Sequence, residues 1–191
     1  NVMATIRCAD YRPQMATVRP GVMKLAEAQP GKQGEVEDFK VEFTPEDMNV
    51  TIKEVIKETK KAVDITDAKV LVSGGRGIGS ADYYKELQKV ADLLGGEISS
   101  SRANVDAGWI AKDRQVGQTG KTVRPDLYLA CGISGAIQHI AGMENSECVI
   151  SINKNDTAAI FDVSDLGIVG DVKVIIPKLI DALTKYKAAQ N

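Results

Sequence analysis

The sequence predicts an α/β fold with a doubly wound, mostly parallel sheet and helices on both faces. From residue 69 onward, short apolar runs alternate with segments of helical periodicity, as strands and crossover helices alternate in such a sheet. Three polar segments with glycines lie between residues 101 and 139, and each follows or precedes an apolar run. Because parallel strands end at one edge of a sheet, we expect a ligand site where these segments meet.

The composition argues against several function classes. The 191 residues carry a formal net charge of -2, so the chain lacks the basic field of a nucleic-acid-binding protein. Its apolar runs are far shorter than the roughly 18 residues of a membrane span, and no signal peptide is expected. Three widely spaced cysteines, Cys8, Cys131 and Cys148, predict reduced, packed thiols in a cytoplasmic protein.

The first third of the chain predicts extended structure interrupted by turns. Val2–Ile6 and Met15–Met23 have the apolar content of short extended pieces, and Gln29–Gly34 has the composition of a linker. Val36–Phe43 alternates polar and apolar residues imperfectly, which predicts a half-buried strand. Val50–Glu58 fits a strand as well as a short helix, and we favour extended structure there.

A strand, a glycine turn and a helix are predicted next. Lys69–Ser73 is a buried strand that runs into Gly74–Gly79, and Ser80 is placed to cap the helix that ends at Gly95–Gly96. The apolar face of this helix consists of Tyr83, Leu87, Val90, Ala91 and Leu94. The junction is of the dinucleotide-binding type, but its glycines depart from the strict G-x-G-x-x-G spacing, so a tight turn without a ligand stays open.

Three further strands complete the predicted sheet. They are Glu97–Ser101, Leu127–Cys131 and Cys148–Ile152. The first of them brings Ser101 and Arg102 to the edge of the sheet. The second runs into the turn Gly132–Gly135, after which a helix begins.

The last helical segment is Val172–Tyr186. Pro177 lies inside it, and because proline lacks an amide hydrogen we expect it to start or kink the helix. Asp171 precedes the segment and is placed either to cap the helix or to bind a ligand hydroxyl; the residues alone favour the cap.

The residue types between 101 and 139 indicate what the site binds. Four glycines remove side chains where a flat or phosphorylated group would approach backbone amides: Gly117, Gly120, Gly132 and Gly135. Four side chains supply mostly hydrogen-bond donors: Arg102, Thr119, Gln138 and His139. No carboxylate pair, Ser-His-Asp order or metal-ligand cluster accompanies them, which favours a cofactor that brings its own chemistry.

Three of these donors also have an ordinary structural interpretation. His139 is the sole histidine, and a lone histidine is more often structural than functional. Thr119 is placed as a turn residue, and Arg102 has the residue type of a surface cation. Asp106 and Lys121 are expected to be structural.

Seven segments together resemble the FAD-binding domain of the electron transfer flavoprotein alpha subunit. The matching segments are Ser73–Gly77, Ser101–Arg102, Val105–Gly108, Gln115–Lys121, Gly132–His139, Ile152–Lys154 and Gly167–Asp171. They run in family order through about two thirds of the chain. The resemblance implies a Rossmann-like domain with FAD as its cofactor.

The resemblance also implies roles for the donors. His139 would lie against the pyrimidine edge of the flavin and stabilise negative charge at N1 and O2, Thr119 would face N5, and Arg102 would favour anionic reduced forms of the ring. The remaining cofactor contacts would come from Gly75, Arg76, Gly77, Ser101, Gln115, Val116, Gly117, Gln118, Gly132, Ser134, Gly135, Ala136, Ile137, Gln138, Asn153, Asp171 and Val172. A hydrogen bond to a charged group is worth roughly 1.5–3 kcal/mol. That energy shifts a one-electron potential by roughly 65–130 mV, so tuning of the potential is the expected mechanism.

At the level of the whole protein, the resemblance implies an electron carrier rather than a self-contained enzyme. Such a subunit pairs with a beta subunit and takes electrons from flavin dehydrogenases such as acyl-CoA dehydrogenase in fatty acid oxidation. Residues 1–62 would be the end of a preceding domain plus linker and extended segments, and residues 63–191 the FAD-binding domain of a carboxyl-terminal fragment. Arg12–Gly21 resembles segments of alpha subunits from anaerobic bacteria, which favours a role in electron bifurcation.

Two other hypotheses stay open at this point. One is the NAD(P)-binding domain of a transhydrogenase-like enzyme, against which the missing glycine fingerprint counts. The other is a noncatalytic fragment that only binds a partner.

Overall fold

The computed structural model describes residues 5–18, 23, 26–48, 50–54 and 63–190. The chain divides into two compact units, Asn1–Met23 with Val63–Asn191 and Lys24–Ala62. In the smaller unit, the side chains that the structure describes are exposed, and Pro45–Asp47 forms a single 3-10 turn. The domain boundary predicted at residue 62 stays a prediction.

The larger unit contains a five-stranded parallel sheet, which confirms the predicted fold class. Its strands are β1 (Val70–Gly74), β2 (Glu97–Ser100), β3 (Leu127–Cys131), β4 (Val149–Asn153) and β5 (Leu166–Val169). Their order across the sheet is β2-β1-β3-β4-β5. The strands β1 to β4 were expected, whereas β5 was not, because an exposed edge strand that contains a glycine carries little apolar signal.

The direction in which strands are added to the sheet reverses between β1 and β3. Val72 of β1 lies opposite Ile98 of β2 on one side and opposite Leu129 of β3 on the other. From β1 the chain first goes outward to β2 and then returns across β1 to β3. A ligand crevice is expected at the carboxyl edge of a sheet where the strand order reverses in this way.

Among the described residues, four α-helices accompany the sheet: α1 (Tyr84–Leu94), α2 (Arg102–Asp106), α3 (Ile137–Ile140) and α4 (Val172–Gln190). Five-residue α2 and four-residue α3 are too short to stand alone and depend on tertiary contacts. Gly95 ends α1 with a left-handed φ of 66°, as predicted. In the structure Ser80 makes no side-chain capping bond, because a 3-10 turn at Ala81–Tyr83 comes before α1. The capping prediction was therefore wrong.

Helix α4 corrects the expectation for Pro177. The helix begins at Val172 and continues through Pro177 to Gln190, so the proline does not start it. Asp171 caps its first turn, since the Asp171 carboxylate accepts the amide of Lys173 at 2.8 Å and the Asp171 carbonyl accepts the amide of Val174 at 2.9 Å. The structure thus agrees with the capping role that the residues alone favoured.

Alternate residues of the strands contribute side chains to two separate hydrophobic cores, one on each face of the sheet. Leu71 and Tyr128 point to one face, where they pack with Ile160 from a 3-10 helix and Met143 from a turn. The other face buries residues that pack against α1 and α4, among them Val72, Leu129, Cys131, Leu87 and Ile176. Helices therefore cover one face fully, while loops, α3 and the 3-10 helix Ala159–Val163 cover the other.

The predicted strand at Val36–Phe43 is not formed. Its side chains are exposed, among them Phe39 at 85% and Phe43 at 70%. A strand needs a partner for its amide and carbonyl groups, and the described residues provide none to this segment. Of Val2–Ile6, Met15–Met23 and Val50–Glu58, the residues that the structure describes form no strand, and the others lie outside the described ranges.

The cysteines agree with the prediction in part. All three are free, and burial raises the pKa of the Cys131 thiol to about 12, as suits an inert core side chain. Cys8, in contrast, is exposed, so it is not the packed thiol that was expected. Among the described residues, no helix has both the length and the apolar character needed to cross a membrane.

Candidate functional site

A cavity of about 500 Å³ lies at the carboxyl edge of the sheet, where β1, β2 and β3 end. Sixteen of the residues proposed from the sequence line it: Gly75, Arg76, Gly77, Ser101, Arg102, Gln115, Val116, Gly117, Gln118, Thr119, Gly132, Ser134, Ala136, Gln138, His139 and Asn153. Two more lining residues, Ala103 and Ile133, were not proposed. Ile133 lies inside a matched segment and Ala103 directly follows one. Their positions in the sequence could therefore have identified them as lining residues.

The loops after β1 and β3 meet backbone to backbone in the floor of this cavity. The amide of Gly75 donates to the carbonyl of Cys131 at 2.9 Å, and the amide of Gly77 donates to that of Gly132 at 3.0 Å. A Cβ on Gly132, whose φ is 64°, would lie 2.7 Å from Gly77. Gly132 lines the cavity, and the position that its side chain would take is occupied by the neighbouring loop. That glycines here admit a ligand stays a prediction.

The loop after β2 places a cation at the cavity. The amide of Ser101 donates to the carbonyl of Gly74 at 3.0 Å, and α2 begins at the next residue, Arg102. The Arg102 Nε lies 3.2 Å from a carboxylate oxygen of Asp106, one turn along α2. Both side chains are about two-thirds exposed, so this pair contributes little to stability and leaves the guanidinium charge at the cavity.

A buried hydrogen-bond network holds α2 against the sheet. The Asn104 Nδ2 donates to the Gly74 carbonyl at 3.1 Å and to the Tyr84 hydroxyl at 2.8 Å. The Tyr84 hydroxyl also lies 2.6 Å from the Ser100 Oγ. Since Asn104 is two residues from Arg102 on the same short helix, this network fixes the position from which Arg102 extends.

The Gln115–Lys121 loop is closed on itself and on α3. Val116 pairs with Lys121 in an isolated β-bridge, and the amide of Gln118 donates to the carbonyl of Gln138 at 2.7 Å. The Gln115 Nε2 donates to the Thr119 Oγ1 at 3.1 Å. The Thr119 oxygen is thereby used as an acceptor, and its own hydrogen stays available for a ligand.

Lys121 has the structural role that was expected. Its Nζ lies 2.8 Å from the Asp64 Oδ1, which ties the loop to the segment before β1. The hydrogen bond from Lys121, together with bonds from Thr66, lowers the pKa of Asp64 to about 2.

His139 lies on α3 in the cavity wall and is only 7% exposed. Its Nε2 is 2.9 Å from the Tyr128 hydroxyl. Burial lowers the pKa of His139 to about 4, against a smaller opposing effect of the Val116 backbone, so the ring is neutral at neutral pH. The Nδ1 atom is buried without a hydrogen-bond partner of normal geometry among the described residues. Buried polar atoms usually have a partner, so this unpartnered nitrogen in the cavity wall is a feature that a bound ligand could explain.

Asn153 at the end of β4 supports the loop after β3. Its Nδ2 donates to the carbonyl of Ile133 at 2.8 Å, and its Oδ1 accepts the amide of Asn155 at 2.9 Å. The carbonyl of Ser134, in the same loop, accepts the amide of Ile160 at 3.1 Å. These bonds hold the loop that leads into α3.

Four residues proposed from the sequence do not line the cavity: Gly135, Ile137, Asp171 and Val172. Ile137 is 73% exposed, whereas Val172 is 3% exposed and packs in the core beside α1 and α4. Gly135 is buried, and Asp171 caps α4. Their contacts with a cofactor stay predictions.

Comparison with known protein families gives two matches. Residues 64–144 match the electron transfer flavoprotein FAD-binding domain, and residues 1–44 match the electron transfer flavoprotein domain. The first match contains β1, β2, β3, α3 and most of the cavity.

Curated relatives are similar over nearly the whole chain. The electron transfer flavoprotein subunit alpha of Thermoanaerobacterium thermosaccharolyticum is 54% identical over 187 residues, which is 98% of this chain and 57% of the relative. That of Clostridium acetobutylicum is 52% identical over 196 residues, 100% of this chain and 56% of the relative. The acryloyl-CoA reductase electron transfer subunit beta of Anaerotignum propionicum is 49% identical over 195 residues, 99% of this chain and 53% of the relative.

The chain spans about half the length of these relatives. Both the family models and the relatives agree with the resemblance seen in the sequence, and the cavity lies within the matched FAD-binding region. The chain therefore belongs to the electron transfer flavoprotein alpha-subunit family and contains its FAD-binding domain.

Proposed function

We propose that the chain binds FAD in the cavity at the carboxyl edge of the sheet and carries electrons as part of an electron transfer flavoprotein. Bound FAD supplies the redox chemistry, and the protein supplies binding and electrostatics. The observation that carries the proposal is the His139 Nδ1, which is buried without a partner in the wall of a cavity lined by hydrogen-bond donors.

The donor set of the cavity fits the electron-rich edge of a flavin. Arg102 brings a permanent positive charge, Thr119 a free hydroxyl hydrogen, and His139 a neutral ring nitrogen. No carboxylate is among the lining residues that the structure describes, so negative charge on a ligand meets no like charge there. The volume of about 500 Å³ is within the range of roughly 300–1,000 Å³ for cofactor pockets.

These side chains would act by differential binding of the oxidised and reduced cofactor. A fixed cation and preorganised donors bind the form with more negative charge more tightly, which raises the reduction potential. His139 is neutral and would act as a hydrogen-bond donor, not as an imidazolium ion.

We further propose that the protein works with a beta subunit and with a flavin dehydrogenase such as an acyl-CoA dehydrogenase. The names of two relatives, each called subunit alpha, support a second subunit. The Anaerotignum relative is named as an electron transfer subunit of acryloyl-CoA reductase, which supports an acyl-CoA-linked partner class.

The test of FAD binding is the visible absorption spectrum of the purified chain before and after FAD is added and excess cofactor removed. We expect a retained flavin spectrum. We expect Arg102→Gln to weaken binding and to lower the potential. Lys85→Gln is the matched control, because Lys85 is also an exposed helix cation paired with an acidic residue, Asp82, on the same stretch, but it lies outside the cavity.

Two outcomes would overturn the proposal. One is failure of the chain to hold FAD both alone and with its beta subunit, set beside clear binding of NAD(P)H, which would favour a nicotinamide-binding domain. The other is an unchanged flavin affinity and potential in Arg102→Gln, which would show that FAD does not bind in this cavity.

A further inference from the structure

We propose that Tyr128 is a positioning residue that fixes the tautomer of His139. Its hydroxyl donates to the His139 Nε2, so the single proton of the neutral ring lies on Nδ1, which is enclosed in the wall of the cavity. The tautomer itself does not depend on FAD; its use toward a flavin rests on the function proposed above.

The geometry of the pair is that of a buried hydrogen bond. Tyr128 lies on β3, is fully buried, and packs in the core on the cavity side of the sheet. Its hydroxyl oxygen is 2.9 Å from the His139 Nε2, and the two ring centroids are 6.1 Å apart at an angle of 58°. Because both residues are enclosed, no bulk water competes for this bond.

The direction of donation follows from the protonation states. Burial raises the pKa of the Tyr128 phenol, so the phenol keeps its proton and can donate it. Burial lowers the pKa of His139, so the imidazole is neutral, with one acceptor nitrogen and one N–H. An imidazole nitrogen is the more basic partner, hence the phenol donates and Nε2 accepts. The ring proton is then on Nδ1.

Two buried serine hydroxyls lower the pKa of the phenol without reversing the effect of burial. Ser73 on β1 and Ser99 on β2 are opposite each other in the register and fully buried on the same face as Tyr128. They act on the phenol by lowering its pKa against the larger effect of burial, as hydroxyl donors do. Neither Ser73 Oγ nor Ser99 Oγ completes a hydrogen bond of normal geometry within the described residues.

The consequence is a donor of fixed direction in the cavity wall. The opposite tautomer would present a lone pair at Nδ1, which would repel an electronegative atom of the flavin. The Val116 backbone raises the pKa of His139, an effect that favours a protonated ring nitrogen. Tyr128 does not line the cavity and acts only through the histidine.

The chain has a single histidine, so nitrogen NMR of the protein labelled with ¹⁵N-histidine reports on His139 alone. In the FAD-free wild-type chain we expect a neutral ring with hydrogen on Nδ1 at pH 7. In Tyr128→Phe, which keeps the aromatic ring but removes the donor, we expect this preference to be lost and the Nε2-protonated tautomer to appear. Tyr83→Phe is the matched control, because the Tyr83 hydroxyl donates to the Val172 carbonyl and does not contact His139.

A wild-type ring protonated on Nε2, or a Tyr128→Phe spectrum identical to that of the wild type, would overturn the inference. The wild-type spectrum alone decides the tautomer if the variant fails to fold. With FAD bound, we expect Tyr128→Phe to lose about tenfold in the preference for reduced over oxidised cofactor, equivalent to about 59 mV for one electron. An unchanged potential in Tyr128→Phe would show that this tautomer does not affect the flavin. Absence of FAD binding would refute the proposed function but not the inferred tautomer.

Discussion

His139 shows how burial changes the protonation and the hydrogen bonding of a side chain. Its pKa of about 4 makes it neutral at neutral pH, and the bond to Tyr128 involves one ring nitrogen while the other stays buried without a partner among the described residues. The sequence supplied the position and the residue type. Neither the neutrality nor the partner could be read from the sequence, because both depend on side chains brought close only by the fold.

The depressed pKa of His139 predicts a pH dependence of stability. Between pH 6.5 and 4 the unfolded histidine binds a proton that the folded one does not, so the free energy of unfolding falls as pH falls through this window. We expect the wild type to lose about 3 kcal/mol from this group between pH 7 and pH 4.

The measurement is urea unfolding of the wild type and His139→Gln at pH 7, 5.5 and 4. Other groups titrate in both proteins, so the difference between the two isolates His139. We expect the destabilisation caused by the variant to shrink toward low pH. Parallel pH profiles would show that the histidine is not buried in its neutral form.

Thr119 predicts a change in the potential of bound FAD. In Thr119→Val the shape is nearly kept, but the hydroxyl hydrogen that the Gln115 bond leaves available is lost. We expect the potential to fall by roughly 65–130 mV, the value of one hydrogen bond to a charged group.

A redox titration of FAD-loaded protein checks this value. Thr184→Val is the matched control, because the Thr184 hydroxyl donates to the Ile180 carbonyl within α4, away from the cavity. Equal shifts in the two variants would argue against a role of the Thr119 hydroxyl at the cofactor.

At the scale of elements, the site depends on two loops that cannot separate. The glycines after β1 and β3 let the two backbones touch, and the bonds of Gly75 and Gly77 to the second loop fix their spacing. The sequence predicted glycine-rich turns at both places. It did not predict the contact of Gly132 with Gly77, since contact between two loops 55 residues apart is a tertiary property.

Gly132→Ala tests this contact, with Gly95→Ala as its matched control. Both glycines have a left-handed φ, 64° and 66°, but a Cβ at Gly95 meets no atom within 4 Å. We expect Gly95→Ala to cost about 1–2 kcal/mol from backbone strain alone. Gly132→Ala should cost more, because its Cβ also collides with Gly77, and it should weaken FAD binding.

Urea unfolding and FAD titration of the two variants distinguish strain from collision. If both lose the same stability, the loop after β1 moves aside without cost, and the close backbone contact is not needed for the fold.

The elements themselves were predictable to different degrees. Strands β1, β3 and β4 have continuous apolar runs because both of their faces are buried, and their predicted bounds agree with the structure within a residue. Val36–Phe43 has a similar apolar content but no partner strand among the described residues, and it is exposed. The local pattern of apolar residues shows which side chains a strand would bury. It does not show whether a neighbouring strand is present to pair with it.

At the scale of the whole molecule, the strand order determines where stability is concentrated. Strands β1 and β3 each have a hydrogen-bonded neighbour on both sides and are buried on both faces, whereas β5 is an exposed edge. We therefore expect the amides of β1 and β3 to exchange most slowly with deuterium, those of β5 faster, and those of residues 32–43 fastest.

Hydrogen exchange read by mass spectrometry of peptides checks this order. Protection of residues 32–43 equal to that of β1 would contradict it and would indicate a partner for that segment.

The sequence by itself determined the α/β class and four of the five strands, because the alternation of apolar and polar side chains is a local consequence of burial. Most of the cavity residues were predicted from the resemblance of matched segments to a family. Its matched segments also pointed to the family that the comparisons support. Only the tertiary structure decided the strand order, the contact between the β1 and β3 loops, the pairing of Tyr128 with His139, and the position of Asp171 outside the cavity lining. Each of these depends on residues far apart in the chain, whose distances are set by how the sheet is assembled and not by any local pattern.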